Sequence, residues 1–559
     1  MVRLRSRPRL WLGAQVLCAA VVCAAGVAAS VALLRAPSAG RAAGRAASPA
    51  GGPAGAAARG PLESMFQDDQ LLIDSPTATV TRTLDQLHAL GVNRLRLTVL
   101  WASIAPDPLS RRPPPGFDPS RPGAYPAAAW APYDRVLKLA RARGIEVDFD
   151  LTAPGPRWAM APGAPVASQA NHYAPSATEF GAFVDAVGRR YSGTYRPPGA
   201  AAPLPRVSFW SIWNEPNQPG WLAPQWRTRG AAPAIAAARL YRGYVDAATA
   251  ALRGTGHGRD TVLIGELAPE GDERTGEGAP VPPLPFLRAL YCVGPTYAPL
   301  RGRPAAALGC PVAGAGTNFV TAHPGLFAAT GFAHHPYSFF LAPARSMSDP
   351  NFAPLADLSR LERSLDRTFA AYAVSRRLPI YLTEYGYESN PPNPFRGVPP
   401  ATQAAYLDEA EYLAWLDPRV RALSQFELRD SPPNRAYRPG TVRYWSTFQT
   451  GLEYHNGRAK PALAAYALPI FIPDPRFARG GTVGVWAMLR AAANGTAQRA
   501  RIQWRPPRGA WRTLAVAPTH DAGGVVLRAV RPPSSGLIRV AWAGTSGRQV
   551  VSRSVPVTG

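Results

Sequence analysis

Two stretches of this 559-residue chain place an acid just beyond an apolar, β-rich run. The first is Phe209-Trp210-Ser211-Ile212-Trp213-Asn214-Glu215-Pro216-Asn217, in which Pro216 stops the strand and turns the chain. The second is Pro379-Ile380-Tyr381-Leu382-Thr383-Glu384-Tyr385-Gly386. An acid so placed is costly unless it faces a cleft. Two carboxylates facing one another can break a glycosidic bond: one protonates the departing oxygen while the other attacks the anomeric carbon. A separation of about 5 to 5.5 Å favours retention of configuration. Burial and the companion carboxylate supply the raised pKa that the acid needs. Glu388, further into a Pro-rich loop, is the nearest competitor of Glu384.

For the two acids to meet, strands remote in sequence must share a rim. From about Ser64 to Ile472 short β-rich runs alternate with longer helical patterns, an order that predicts parallel strands with helical crossovers. Strands are expected at Ser64–Gln67, Arg94–Leu100, Glu146–Leu151, Val207–Ile212, Thr261–Gly265, Gly331–Ala333, Ile380–Leu382 and Ala422–Phe426. Helices are expected at Val80–Leu90, Tyr133–Arg143, Ala177–Tyr191, Ala236–Leu252, Leu284–Tyr291, Leu358–Arg376, Gln403–Leu416 and Pro461–Leu468. Such pairs close naturally as a (β/α)₈ TIM barrel, whose chemistry sits where strands end and loops begin. A doubly wound open sheet is the rival, but MFQDDQLLIDSP after the first strand carries no glycine-rich phosphate loop.

Trp213-Asn214-Glu215-Pro216-Asn217, taken with Thr383-Glu384-Tyr385-Gly386, resembles the retaining glycoside hydrolases of clan A, most nearly family 39 and then family 5. The resemblance implies the (β/α)₈ barrel, Glu215 as acid/base, Glu384 as nucleophile, and Asn214 on the sugar 2-hydroxyl. Arg96-Leu97-Thr98-Val99-Leu100-Trp101 is similar to the clan's second strand, whose Arg lies near the nucleophile and would keep Glu384 ionised. His335-Pro336-Tyr337 resembles its sixth-strand motif, in which the Tyr hydroxyl holds the nucleophile. Ala153 to Trp158 resembles the third-strand loop, and Gly451-Leu452 to Lys460-Pro461-Ala462 the closing segment. The eighth strand departs from the pattern, with Phe426 where relatives place a Trp floor.

Other features have two readings each. Trp101, Trp158, Trp213 and Trp221 either floor a sugar cleft or pack in a core. Arg96 is either the nucleophile's counter-ion or an ordinary buried ion-pair partner. His334 and His335 are adjacent, but no third ligand has matching spacing, so no metal site is expected; no cofactor is expected either, since both roles are carboxylate chemistry. Cys292 and Cys310 are a candidate disulfide, with two buried free thiols as the alternative.

A hydrophobic content of 46 % excludes a wholly disordered chain, and four Cys are too few for a disulfide-dense scaffold. The formal charge of +25 is uneven: residues 1–60 hold eight Arg and no acid, while residues 481–559 hold eleven Arg and only Asp521. The middle is nearly balanced, which argues against a nucleic-acid enzyme. Residues 10–34 carry no charge and follow four Arg, the pattern of a plasma-membrane anchor or a signal peptide within 1–35. Residues 36–61 read as a flexible Ala/Gly/Pro linker, 62–472 as the barrel, and 480–559 as an immunoglobulin-like β-sandwich of short strands. Its basic surface suits an anionic envelope polymer. The sequence therefore predicts an exported or cell-surface glycosidase acting on a poly- or oligosaccharide. A non-catalytic carbohydrate-binding envelope protein on an inactive barrel is the alternative.

Overall fold

In β2 (Arg94–Leu100) and β3 (Glu146–Thr152) polar and apolar residues alternate, and that alternation builds the centre of the molecule. Side chains on a strand point to opposite faces in turn. Leu95, Leu97, Val99, Val147, Phe149 and Leu151 therefore face outward into the main apolar core, while Arg96, Asp148 and Asp150 are turned inward, all buried. Arg96 lies in register with Asp148, and Thr98 with Asp150.

These strands belong to a closed ring of eight. The computed structural model describes residues 61–164, 169–227, 233–492, 495–544 and 547–559. The ring comprises β1 (Glu63–Gln67), β2, β3, β4 (Phe209–Ile212), β5 (Thr261–Leu267), β6 (Gly331–His334), β7 (Ile380–Tyr385) and β8 (Val420–Phe426). Each strand pairs in parallel with its neighbours, and β1 closes the ring between β8 and β2. All eight expected strands are present, most extended by one to three residues. Helices α1 (Thr77–Ala89), α2 (Ala127–Arg141), α3 (Ala177–Arg190), α4 (Ala236–Gly254), α5 (Pro283–Leu290), α6 (Leu358–Ala370), α7 (Pro400–Leu416) and α8 (Pro461–Ala467) follow the strands in turn. Their burial is one-sided, as in α4, where Tyr241, Tyr244, Val245, Ala248 and Leu252 meet the barrel.

Inside the ring Phe209, Leu263 and Ala333, with Tyr381 packed on them, form an apolar plug. The Arg94 guanidinium covers Phe209 at 4.1 Å and is paired to Glu63. Beyond this plug, toward the carboxyl ends of the strands, the interior is charged. Buried charge is tolerable only when partnered, so this layer has to be a network.

The C-terminal segment forms antiparallel sheets. One contains β9 (Ile470–Phe471), β10 (Val483–Met488) and β13 (Val525–Val530). The other contains β11 (Arg499–Arg505), β12 (Arg512–Pro518), β14 (Gly536–Trp542) and β15 (Val550–Val551), with β16 (Val555–Val557) pairing to β14. The first of these strands lies at Ile470–Phe471, ahead of residue 480. Trp504 and Trp542 fill the core between the sheets, whereas Trp511 lies under the guanidinium groups of Arg539 and Arg505. Two of this segment's arginines plug into the barrel: Arg490 pairs with buried Glu411 at 2.9 Å and Arg553 pairs with Asp408, both acids on α7. Part of the C-terminal positive charge is thus spent inside the protein.

The expected anchor at 1–35 and linker residues 36–60 lie outside the described residues. Among the described residues no helix is long and apolar enough to cross a membrane. Cys292 and Cys310 are joined as a disulfide in the insertion that follows α5.

Candidate active site

At the end of β4 the chain leaves regular strand geometry. Trp213 (φ 66°) and Glu215 (φ 37°) both adopt left-handed backbone, as does Glu266 (φ 48°) near the end of β5. Each such residue costs about 1–3 kcal/mol and survives only where its surroundings over-determine it. Here they do. The Trp213 amide donates to the Leu151 carbonyl at 3.0 Å, the Asn214 amide to Thr152 Oγ1 at 2.9 Å, and the Glu215 amide to the Glu266 carbonyl at 3.0 Å. Asn217 staples the loop, accepting from the Ala268 amide and donating to the Ala268 and Val281 carbonyls. The last residue of the sequence motif is thus a structural brace.

The structure brings Glu215 and Glu384 together. One oxygen of each, with Nδ1 of His335, lies within 4.8 Å of the others. Glu384 is held from two sides: Arg96 Nη1 donates to Oε1 at 2.8 Å and the Tyr337 hydroxyl donates to Oε2 at 3.1 Å. Glu215, whose side chain is 12 % exposed, accepts from His335 Nδ1 through Oε1 at 2.9 Å. Arg96 Nη2 donates to Asn214 Oδ1 at 2.7 Å, which leaves the Asn214 NH₂ group free for a ligand. Gln67 Oε1 also accepts from Arg96. Glu388 instead accepts from Asn393, away from Arg96, which removes it as a rival to Glu384.

The electrostatics follow from burial and partners. Burial pushes the Glu384 carboxyl up, His335 and Arg96 pull it back, and the nearby carboxylates leave the net shift upward. Burial also raises Asp148, to about 7, and Asp150 well above the carboxylate range despite Arg96 at 3.1 Å. Glu266 is the exception, because Arg96 and His335 outweigh its burial and hold it at about 2. His334 and His335 point to opposite faces and differ accordingly. Burial drives His334 down to about 4, while three carboxylates outweigh burial and lift His335 to about 10. Its two ring nitrogens each face a carboxylate oxygen, Nδ1 at 2.9 Å from Glu215 Oε1 and Nε2 at 2.7 Å from Glu266 Oε2.

The tryptophans divide. Trp101 and Trp213 are wholly buried, stacked on Phe183 and Tyr244 respectively, so neither offers a ring face to a sugar. Trp158 is half-buried, edge-on to Trp101, with its indole N–H on the Pro106 carbonyl. The apolar side chains exposed on the loops after β6 and β7 are instead Phe340 and Phe395. At the eighth strand Phe426 is half-buried against Phe448. Sequence reasoning passed over Glu266 and Thr383, whose hydroxyl donates to Glu266 at 2.8 Å. The signal existed: Leu263-Ile264-Gly265-Glu266-Leu267 is a third apolar run with an acid near its end.

No protein-family model matches the chain, and no curated protein matches it. Among solved structures it is similar to an endo-β-1,4-mannanase from Thermotoga petrophila, at 12 % identity over 89 % of this chain and 97 % of that one, with a TM-score of 0.40. It is similar to a GH5_18 protein from Streptomyces cattleya in complex with GlcNAc, at 15 % identity over 73 % and 79 % of the two chains, TM-score 0.43. A family 1 β-glucosidase from Thermotoga maritima gives 15 % identity over 70 % and 85 %, TM-score 0.43.

Proposed function

We propose that the protein is a retaining glycoside hydrolase that cleaves O-glycosidic bonds of a poly- or oligosaccharide by double displacement. Glu384 attacks the anomeric carbon while Glu215 gives its proton to the departing oxygen, forming a glycosyl ester on Glu384. Glu215, now a base, takes a proton from water as that water attacks the same carbon and releases Glu384. One observation carries this assignment: two carboxylates share a mouth with oxygens within 4.8 Å, one bound to a fixed guanidinium and the other not. So close an approach of their nearest oxygens suits direct attack by a carboxylate, at about 5–5.5 Å between carboxyl groups, better than the roughly 6.5–9.5 Å that seats a water. Asn214, held by Arg96, turns its NH₂ group toward the sugar 2-hydroxyl. No cofactor enters either step.

The test is a panel of aryl glycosides and polysaccharides with the full chain and its Glu215→Gln and Glu384→Gln variants. Each substitution is expected to lower turnover by at least about two orders of magnitude, on general-acid and nucleophile grounds. In alanine variants azide should restore turnover, giving the retained glycosyl azide when Glu215 is missing and the inverted one when Glu384 is missing. Unchanged turnover in either variant removes the assignment. Tight glycan binding with no turnover in the unaltered protein would favour a non-catalytic carbohydrate-binding role.

We place the enzyme outside the cytoplasm, at or beyond the plasma membrane, with residues 10–34 as anchor or export signal. The disulfide between Cys292 and Cys310 supports an oxidising compartment. The C-terminal sheets are read as an immunoglobulin-like sandwich whose remaining exposed arginines suit an anionic envelope polymer.

A further inference from the structure

Glu266 has no part in two-carboxylate chemistry, yet it holds more of the site than either catalytic acid. It is wholly buried, and its Oε2 accepts from His335 Nε2 at 2.7 Å, Thr383 Oγ1 at 2.8 Å and Arg96 Nη2 at 3.0 Å. Its carbonyl accepts the Glu215 amide. It thus touches Glu215 through the backbone, the residue before Glu384 through a hydroxyl, and the Arg96 that binds Glu384.

We propose that Glu266 is a positioning residue: it keeps the His335 ring doubly protonated, and that ring fixes the Glu215 carboxyl for proton transfer. The proposal rests on the glycosidase reading above for its catalytic consequence. A neutral imidazole has one N–H. If His335 were neutral, one of its two contacts, to Glu215 or to Glu266, would set a lone pair against a carboxylate oxygen. With Glu266 ionised and Oε1 of Glu215 an acceptor, whether or not Glu215 carries its own proton on Oε2, the two contacts together require the imidazolium. The groups facing that ring are Glu215 after β4, Glu266 on β5, Glu384 on β7 at 3.6 Å, and Tyr337 two residues along its own segment, with Arg96 on β2 behind Glu266. The upward displacement of His335 to about 10 agrees with that arrangement. With Oε1 of Glu215 held by an N–H, the acidic proton resides on Oε2.

The bland alternative is that Glu266 merely neutralises Arg96. Then its removal would cost stability and leave His335 untouched. The discriminating measurement is the ring-nitrogen spectrum of the full chain labelled with ¹⁵N-histidine, followed between about pH 6 and 10, with His335 assigned by its loss in His335→Asn. In the unaltered protein both His335 nitrogens should stay protonated beyond about pH 8. In Glu266→Gln the ring should titrate at least about two units lower, toward its ordinary value near 6.5. Turnover should fall by about two orders of magnitude with KM within about threefold, as for a lost preorganised charge. Glu266→Asp should restore part of the His335 protonation and part of the turnover. A neutral His335 at pH 7.5 in the unaltered protein overturns the proposal even if no variant folds, and so does a Glu266→Gln protein in which His335 stays charged. If the unaltered protein cleaves no glycoside, the glycosidase reading fails while the spectrum still decides whether Glu266 holds the proton.

Discussion

Replacing Tyr337 with Phe isolates one interaction with the proposed nucleophile. The ring lies between Phe339 and Tyr385, with centroids 6.3 and 6.2 Å away, and Phe keeps that stacking, so only the hydroxyl at 3.1 Å from Glu384 Oε2 is lost. A hydrogen bond to a charged group is worth about 1.5–3 kcal/mol, and about 1.4 kcal/mol corresponds to one pKa unit. Because the bond favours the ionised carboxylate, its loss must raise the Glu384 pKa, by about one to two units, from a value that burial already lifts. Attack requires ionised Glu384, so the acidic limb of kcat/KM should move to higher pH by that amount, while activity on the plateau changes less. Initial rates on an aryl glycoside across the pH range measure it directly. An acidic limb that stays within about 0.3 unit of the parent's would mean that the hydroxyl does not bear on an ionised Glu384, and the division of roles between the acids would lose its main support.

Other consequences are open to direct measurement. Asp148 is buried and its carboxyl, raised by burial to about 7, accepts from Ser211 at 2.9 Å. Its folded pKa lies above the unfolded value, so its contribution to stability is present in acid and is lost as pH rises from about 4 to about 7. Asp148→Asn should flatten that loss, seen as urea midpoints that gain on the parent toward neutral pH and above. Arg490→Met leaves Glu411 buried without its cation and should cost about 3–5 kcal/mol, much of it recovered when Glu411→Met is added, as a double-mutant cycle of unfolding would reveal. Removing the disulfide by Cys292→Ala with Cys310→Ala opens a loop with a sequence separation of 18 and should cost about 3 kcal/mol by denaturant titration.

The barrel was legible because its strands are short apolar runs punctuated by turns. Arg94–Leu100 agrees to the residue. The departures have local causes. The second helix starts at Ala127, ahead of the expected Tyr133, because Pro132 falls early in the helix, where its missing N–H frees only the Ala128 carbonyl. The sixth helix ends at Ala370 instead of Arg376, because the turn beyond it uses a left-handed Ala373, which no glycine announces. Glu266 was missed because β5 does not stop at Gly265. The register shifts between Gly265 and Leu267 against β6, and the irregularity, with Gly265 at φ 107° and Glu266 at φ 48°, re-aims the acid into the barrel. Trp213 was open to a cleft reading because its motif sits at a strand end. Its left-handed backbone, invisible in the letters, accompanies its stacking on Tyr244 in the core. Arg96 gathers partners up to 288 residues away, and no local pattern encodes such a network.

The two carboxylates are chemically alike, so their neighbours must assign the roles. A guanidinium does not give up its proton in a protein, and Arg96 therefore presents Glu384 with a permanent counter-ion. That suits a group that must be anionic to attack and anionic again when it leaves. An imidazolium is a conditional charge, maintained here by the carboxylates around it. In the proposed double displacement, His335 loses one of those carboxylates when Glu384 becomes an ester. At the same moment Glu215, having given up its proton, becomes a full anion at 2.9 Å from His335 Nδ1. The charge facing the imidazolium thus passes from one acid to the other without leaving the cluster. A site built this way would require little reorganisation between the two half-reactions of the proposed mechanism.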